Sequence, residues 1–107
     1  MRLCEVEVEV IPLDSLLQQL GTVKPVVLKI DVEGFGLNVV RGATEVIKSF
    51  RPFIFFEVHR TFDELDEMRA LQLLKDMGYG LKLLDWRSKI NFIIFAYPAE
   101  IGCVCCE

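Results

Sequence analysis

The sequence is short of positive charge, has a single histidine and only four prolines, and carries no long apolar run. Twelve Lys and Arg stand against sixteen Asp and Glu, a net charge of −4 over 107 residues. That balance argues against a nucleic-acid backbone as the main partner, because phosphate binding wants a net basic face. No stretch approaches the roughly 18 apolar residues that span a bilayer. Residues 90–99, the longest uncharged run of the body, already contain Asn91 and Pro98. The first five residues alternate charged and apolar side chains and lack the core of a signal peptide. The expectation is a cytoplasmic protein with no nucleic acid and no membrane span. There are no internal repeats, no low-complexity segments and no linker.

A disulfide framework is missing too. Cys4 is alone, and Cys103, Cys105 and Cys106 crowd the other end. This is not the even spacing of a stapled secreted domain, and a reducing compartment is the simpler reading. Zinc held by that tail and Cys4 would need three ligands on one short segment and one far away, an unusual set. The ending is not a prenylation box, since Val104 stands where the cysteine would be. Free thiols on an exposed tail are expected, with no metal.

What is present is a packed domain. The chain is 52% hydrophobic and 26% charged, with a mean hydropathy of +0.38, so it is not disordered. Residues 5–11, Glu-Val-Glu-Val-Glu-Val-Ile, alternate strictly and predict a strand with one wet face. Pro12 ends it. Leu13–Leu20 reads as a helix stopped by Gly21, with Asp14 in its first turn where a carboxylate caps and complements the dipole. Residues 25–31 form a continuous, β-branched apolar run, which predicts a strand buried on both faces. Lys29 within it is expected to snorkel or to pair with a carboxylate. Residues 37–50 predict a helix with Gly42 as a weak point. Phe53-Ile-Phe-Phe56 predicts a second buried strand, ending in Glu57-Val-His59. Thr61 to Glu64 is a capping box, and Leu65, Met68, Leu71 and Leu74 make a core stripe on the helix that follows, which Gly78 ends. Strands over 80–86 and 90–97, separated by Arg87-Ser-Lys89, form an antiparallel hairpin.

Buried strands alternating with helices imply βαβ crossovers. The fold class expected is therefore α/β: a Rossmann-like mixed sheet, mainly parallel, with a C-terminal antiparallel hairpin. Residues 1–98 are read as one unit and 99–107 as a tail.

Ligands of open α/β sheets bind beyond the carboxyl ends of the strands. Asp31 and Glu33 follow the first buried strand and, at positions i and i+2, face one way. Gly34 permits a sharp turn or a close approach to a ligand. Glu57 and His59 end the next strand on the same predicted rim. Each has a plainer reading. Glu57 can pair with Arg51 or Arg60 on the surface, and His59 can be a solvated loop residue. Asp31, following six largely apolar residues, is expected to need a partner or a ligand. Gly34-Phe-Gly36 is no dinucleotide fingerprint, since the third glycine is absent.

These strings carry a resemblance. Leu13-Asp-Ser-Leu-Leu17, Leu28-Lys-Ile-Asp-Val-Glu-Gly34, Val40-Arg-Gly-Ala43 and Arg51-Pro52 with Glu57-Val-His59 are similar to the C-terminal half of FkbM-type methyltransferases, over roughly residues 5–98. The Lys-Ile-Asp-Val-Glu-Gly string is fairly specific; the Leu-Asp-Ser-Leu-Leu piece is weak by itself. The resemblance implies strands four to seven of a class I, S-adenosylmethionine-dependent fold, and methyl transfer to a hydroxyl of a small molecule. It casts Asp31 beside the methyl group or acceptor hydroxyl, Glu33 as orienting the substrate, Glu57 and His59 on the acceptor side, and His59 as a base. Gly34 would shape the substrate site.

Two departures stand out. The family pattern continues Glu-Gly-Ala-Glu, whereas this chain has Glu33-Gly34-Phe35-Gly36. The half that would carry the glycine-rich turn and the acid holding the ribose is absent from these residues. No residue is therefore read as a cofactor ligand, and the chain is expected to be a fragment, inactive alone. Two alternatives remain open at this point. One is a non-catalytic dimerisation or interaction module, self-associating through the open edge of strand 26–31. The other is a carboxylate metal site or glycosidase acid pair at Asp31 and Glu33.

Overall fold

A computed structural model describes residues 4–32, 34–59, 64–86 and 91–102. Pro12, with its fixed φ, leads into helix α1, Leu13–Leu20. The helix ends at Gly21, whose φ of 72° is left-handed and whose N–H donates to the Leu17 carbonyl at 2.9 Å. Strand β1, Val27–Ile30, follows. The expected helix over residues 37–50 is two: α2, Gly36–Arg41, and α3, Thr44–Phe50. They part at Gly42, the weak point of the sequence, where a Cβ would stand 3.2 Å from the Pro12 ring. Strand β2 is Phe53–His59, helix α4 is Glu64–Asp76, and strands β3, Tyr79–Trp86, and β4, Asn91–Pro98, form the expected antiparallel pair. A 3-10 turn, Ala99–Ile101, comes after. The capping-box residues Thr61 to Asp63 and the hairpin turn lie outside the described residues.

The sheet runs β1-β2-β4-β3. Only β1 and β2 are parallel; β4 is antiparallel to both its neighbours. The sheet is mixed, as expected, but not mainly parallel. Helix α4 carries the chain past one strand position, and β4 returns to fill it, so the parallel run stops at β2. The arrangement is consistent with part of a Rossmann-like fold.

Residues 5–11 form no strand, contrary to expectation. Val6, Val8 and Val10 stand in solvent. Alternation makes a segment competent for a sheet, but a strand exists only against a ladder partner. β1 is also buried on one face, not two: Ile30 is buried while Val27 is about half exposed.

The core lies on one side of the sheet. Ile30, Ile54, Phe56, Val58 and Ala96 face Leu37, Val40, Ile47, Ala70, Leu71 and Leu74 of the helices. On α4 the buried stripe is Glu67, Ala70, Leu71 and Leu74, whereas Leu65 and Met68 are exposed. The stripe keeps helical spacing; it is rotated because a glutamate occupies one of its positions. The opposite sheet face carries a row of rings. Phe95 lies between Phe55, 5.0 Å away, and Phe53, 5.7 Å away, with Tyr97 at 5.8 Å. Among the described residues no helix is long and apolar enough to cross a membrane.

Candidate functional site

The parallel register of β1 and β2 ends at the pair Ile30–Phe56. Asp31 follows the last residue of β1, and Glu57 lies two residues before the end of β2, so both acids stand toward the carboxyl ends of neighbouring strands, where such sheets bind ligands. Asp31 is exposed. Water reaches it, and it is not without a partner, in keeping with the sequence expectation. Glu57 is buried, with only 6% of its surface accessible. It lies on the ring-bearing face of β2, opposite Ile93 of β4. His59 is two residues on and ends the strand opposite Asn91.

After β1 the chain turns at Gly34, whose φ of 75° is left-handed, a conformation that costs a β-carbon about 1–2 kcal/mol. Phe35 then projects into solvent, and α2 begins. The structure thus gathers Asp31, Gly34 and Glu57 at one end of the sheet. Glu33 and the side chain of His59 lie outside the described residues.

The floor under this turn was not legible beforehand. Gly36 is buried, and a Cβ there would fall 2.5 Å from the Phe56 ring and 3.2 Å from Glu67 Oε2. The glycine that replaces the resembled glutamate is therefore required by contact. Phe56 and Glu67, both fully buried, fill the space a side chain would need. Beside them Asp66 Oδ2 accepts a hydrogen bond from the Leu37 N–H at 3.2 Å, at the start of α2. In sequence Asp66 and Glu67 look like a solvated helix face. Only the i, i+3, i+4, i+7 spacing of Glu67 with Ala70, Leu71 and Leu74 could have pointed inward.

Two further charges hold the frame. Asp14 caps, as expected, but it caps α3 and not its own helix. Its two oxygens accept the N–H groups of Glu45 at 3.0 Å and Val46 at 2.9 Å. The N-cap position of α3 is Ala43, which has no oxygen to offer. Arg51 does not pair with Glu57. Its guanidinium forks onto Glu100 and donates to the carbonyls of Met77 at 2.6 Å and Gly78 at 3.1 Å. The other suggested partner of Glu57, Arg60, lies outside the described residues.

Among the described residues no group of three or more His, Cys, Asp or Glu side chains is placed to hold a metal ion. Cys4 is a free, exposed thiol; Cys103, Cys105 and Cys106 lie outside the described residues. The rim offers carboxylates, which suit a cationic or hydroxyl-bearing ligand.

The model of the methyltransferase FkbM domain matches residues 4–81. No curated protein and no solved structure matches the chain.

Proposed function

Because the chain belongs to the FkbM methyltransferase family, for which S-adenosylmethionine is the implied methyl donor, we propose that its carboxyl-end rim serves methyl transfer to a hydroxyl of a small molecule. A bound sulfonium donor supplies an already activated methyl group. What falls to the protein is orientation and the fate of one proton. The C–S bond breaks as a C–O bond forms, and the hydroxyl proton leaves to a base. In this reading Asp31 orients the acceptor hydroxyl beside the methyl group, with Glu33 positioning the substrate. Glu57 and His59 line the acceptor side, and His59 takes the proton. Gly34 lets the backbone approach the substrate closely. The exposed free thiol of Cys4 suits the cytoplasmic location expected from composition.

The observation that supports this reading is the parallel pairing of β1 and β2, whose register runs to Ile30–Phe56, the residues just before Asp31 and Glu57.

Calorimetric titration with S-adenosylmethionine and S-adenosylhomocysteine tests the assignment. Binding that weakens roughly ten- to a hundredfold in Asp31→Ala is expected, the effect of losing a hydrogen bond to a charged group. No binding to a chain shown by circular dichroism to be folded would remove the donor site from these residues. Equal binding by Asp31→Ala would remove Asp31 from it.

A further inference from the structure

The arginines of the described residues are of two kinds. Arg51 gives its guanidinium to Glu100 and to the carbonyls of Met77 and Gly78. Arg41 and Arg69 are exposed, and among the described residues neither side chain makes a hydrogen bond or an ion pair. Yet the two line one groove, of about 240 Å³, between α2 and α4, together with Leu37, Gln72, Leu73 and Asp76.

The connections bring them together. Helix α2 follows β1 and α4 follows β2, its parallel neighbour, so both run back from the same end of the sheet. They are level where Asp66 Oδ2 accepts the Leu37 N–H at 3.2 Å. One turn on from Leu37 is Arg41, and one turn on from Asp66 is Arg69. Beneath them the floor is apolar: Leu37 is buried, and Leu73 packs against the core. Charges that meet over such a floor attract more strongly than in open water. The nearby acids are engaged elsewhere, Asp66 at the start of α2 and Asp76 with the Gln72 amide, whose Nε2 donates to Oδ1 at 2.9 Å. Asp76 stands about 10.5 Å beyond Arg69 along the helix, so the groove is basic at one end and acidic at the other.

We propose that this groove binds a small phosphate monoester, its phosphate between Arg41 and Arg69 and its apolar body on Leu37 and Leu73. Two guanidiniums offer two planar forks and two positive charges. A phosphate monoester carries close to two negative charges and three terminal oxygens, and so fills both forks. A carboxylate, with one charge and two oxygens, fills one. Arginine suits this task better than lysine, because its donors are fixed in the plane that oxyanions match. The chain as a whole carries a net charge of −4 and repels anions, so the arginine pair is a local exception. The inference stands independently of methyl transfer and uses no residue of the carboxyl-end rim.

Amide NMR of the 107-residue chain, titrated with phenyl phosphate at constant ionic strength and without any methyl donor, tests it. Saturable shifts are expected at Leu37, Arg41, Arg69 and Leu73. Inorganic phosphate should bind the same residues more weakly, having no apolar body to lay on the floor. Arg41→Ala and Arg69→Ala, both exposed changes that leave the circular-dichroism spectrum unaltered, should each weaken phenyl phosphate by roughly ten- to a hundredfold. Arg69→Lys keeps the charge but loses the fork and should fall between. Asp76→Asn should tighten binding by roughly two- to fivefold, since it removes the one acid of the groove; a merely structural role for these residues predicts no such gain. The absence of saturable shifts at these amides overturns the proposal. So does binding that survives the double change Arg41→Ala with Arg69→Ala, which would place the anion elsewhere. Benzoate binding as tightly as phenyl phosphate overturns the assignment to phosphate.

Discussion

Arg51 and Glu100 face each other as a two-pronged ion pair, Nε 2.8 Å and Nη2 2.7 Å from the two carboxylate oxygens. The same guanidinium bonds the last carbonyls beyond α4 and lies 4.7 Å from the centre of the Tyr79 ring. Arg51 itself adopts a left-handed φ of 51° where α3 ends. One side chain thus ties the end of α3, the end of α4 and the turn after β4. The planar fork does this with donors that a lysine could not supply in the same geometry.

Acid should loosen this junction. The bond from Arg51 holds the Glu100 carboxyl at about 2, below its ordinary 4.5. The folded state therefore resists a proton that the unfolded state accepts. The stabilisation is fully present above 4.5, falls as the pH drops toward 2, and is absent below that. Because Glu100 lies in solvent, the effect is screened by salt. Urea midpoints measured across that window should decline for the parent chain and decline less for Glu100→Gln. Parallel curves for the two would mean the pair does not form in solution.

The alkaline side is governed by Tyr79. Its hydroxyl donates to the Pro52 carbonyl at 2.7 Å in a buried position. Burial pushes its pKa up to about 12 from 10.0, against the opposing pull of Arg51. Its contribution is complete below 10 and is lost as pH rises toward 12. Tyr79→Phe should cost about 1–3 kcal/mol at neutral pH, because the Pro52 carbonyl is left without its donor. It should also flatten the alkaline fall in stability. Equal denaturation midpoints at neutral pH would show that the carbonyl finds another partner.

Gly36 is the steric hinge of the candidate site. A methyl group there meets the buried Phe56 ring, which has little freedom to move in a packed core. Gly36→Ala is expected to destabilise the fold by about 1–3 kcal/mol, the usual effect of overpacking. Any gain from restoring helix propensity is smaller. A midpoint at or above that of the parent chain would show that α2 shifts freely away from β2.

Much of this was legible because local patterns and tertiary structure agree. Gly21 and Gly78 end helices as read, and the strands read over 53–59, 80–86 and 90–97 stand at 53–59, 79–86 and 91–98. The failures have separate causes. Residues 5–11 alternate perfectly yet form no strand, because pairing is not a local property. The two-sided burial of residues 25–31 assumed cover on both sheet faces, whereas among the described residues one face carries the row of rings from Phe53 to Tyr97. Asp31, Gly34 and Glu57 were proposed from strand ends and the turn that follows. Glu67 was missed because a charged residue inside a core stripe reads as solvent-facing. The partners of the Asp14 and Arg51 side chains are 26 to 49 residues away, beyond the reach of any spacing rule.

Asp14 gives the most direct test of how the helical layer is held. It leaves the first turn of α1 and supplies both oxygens to the second and third N–H groups of α3, the donors that a helix cannot satisfy internally. Ala43, at the position where a serine or aspartate would normally serve, is buried and fills the core instead. Cap and packing residue have thus been divided between two elements. The Asp14 N–H also donates to the Gly42 carbonyl at 2.9 Å, so backbone and side chain clamp the same joint. Asp14→Ala should cost about 0.5–2 kcal/mol, like the loss of a local cap. Asp14→Asn keeps one acceptor, loses the charge at the helix start, and should fall in between. Hydrogen exchange gives the sharper readout: the amides of Glu45 and Val46 should lose protection in Asp14→Ala more than those of α4. Uniform loss across the chain would mean that Asp14 supports α1 and not the start of α3.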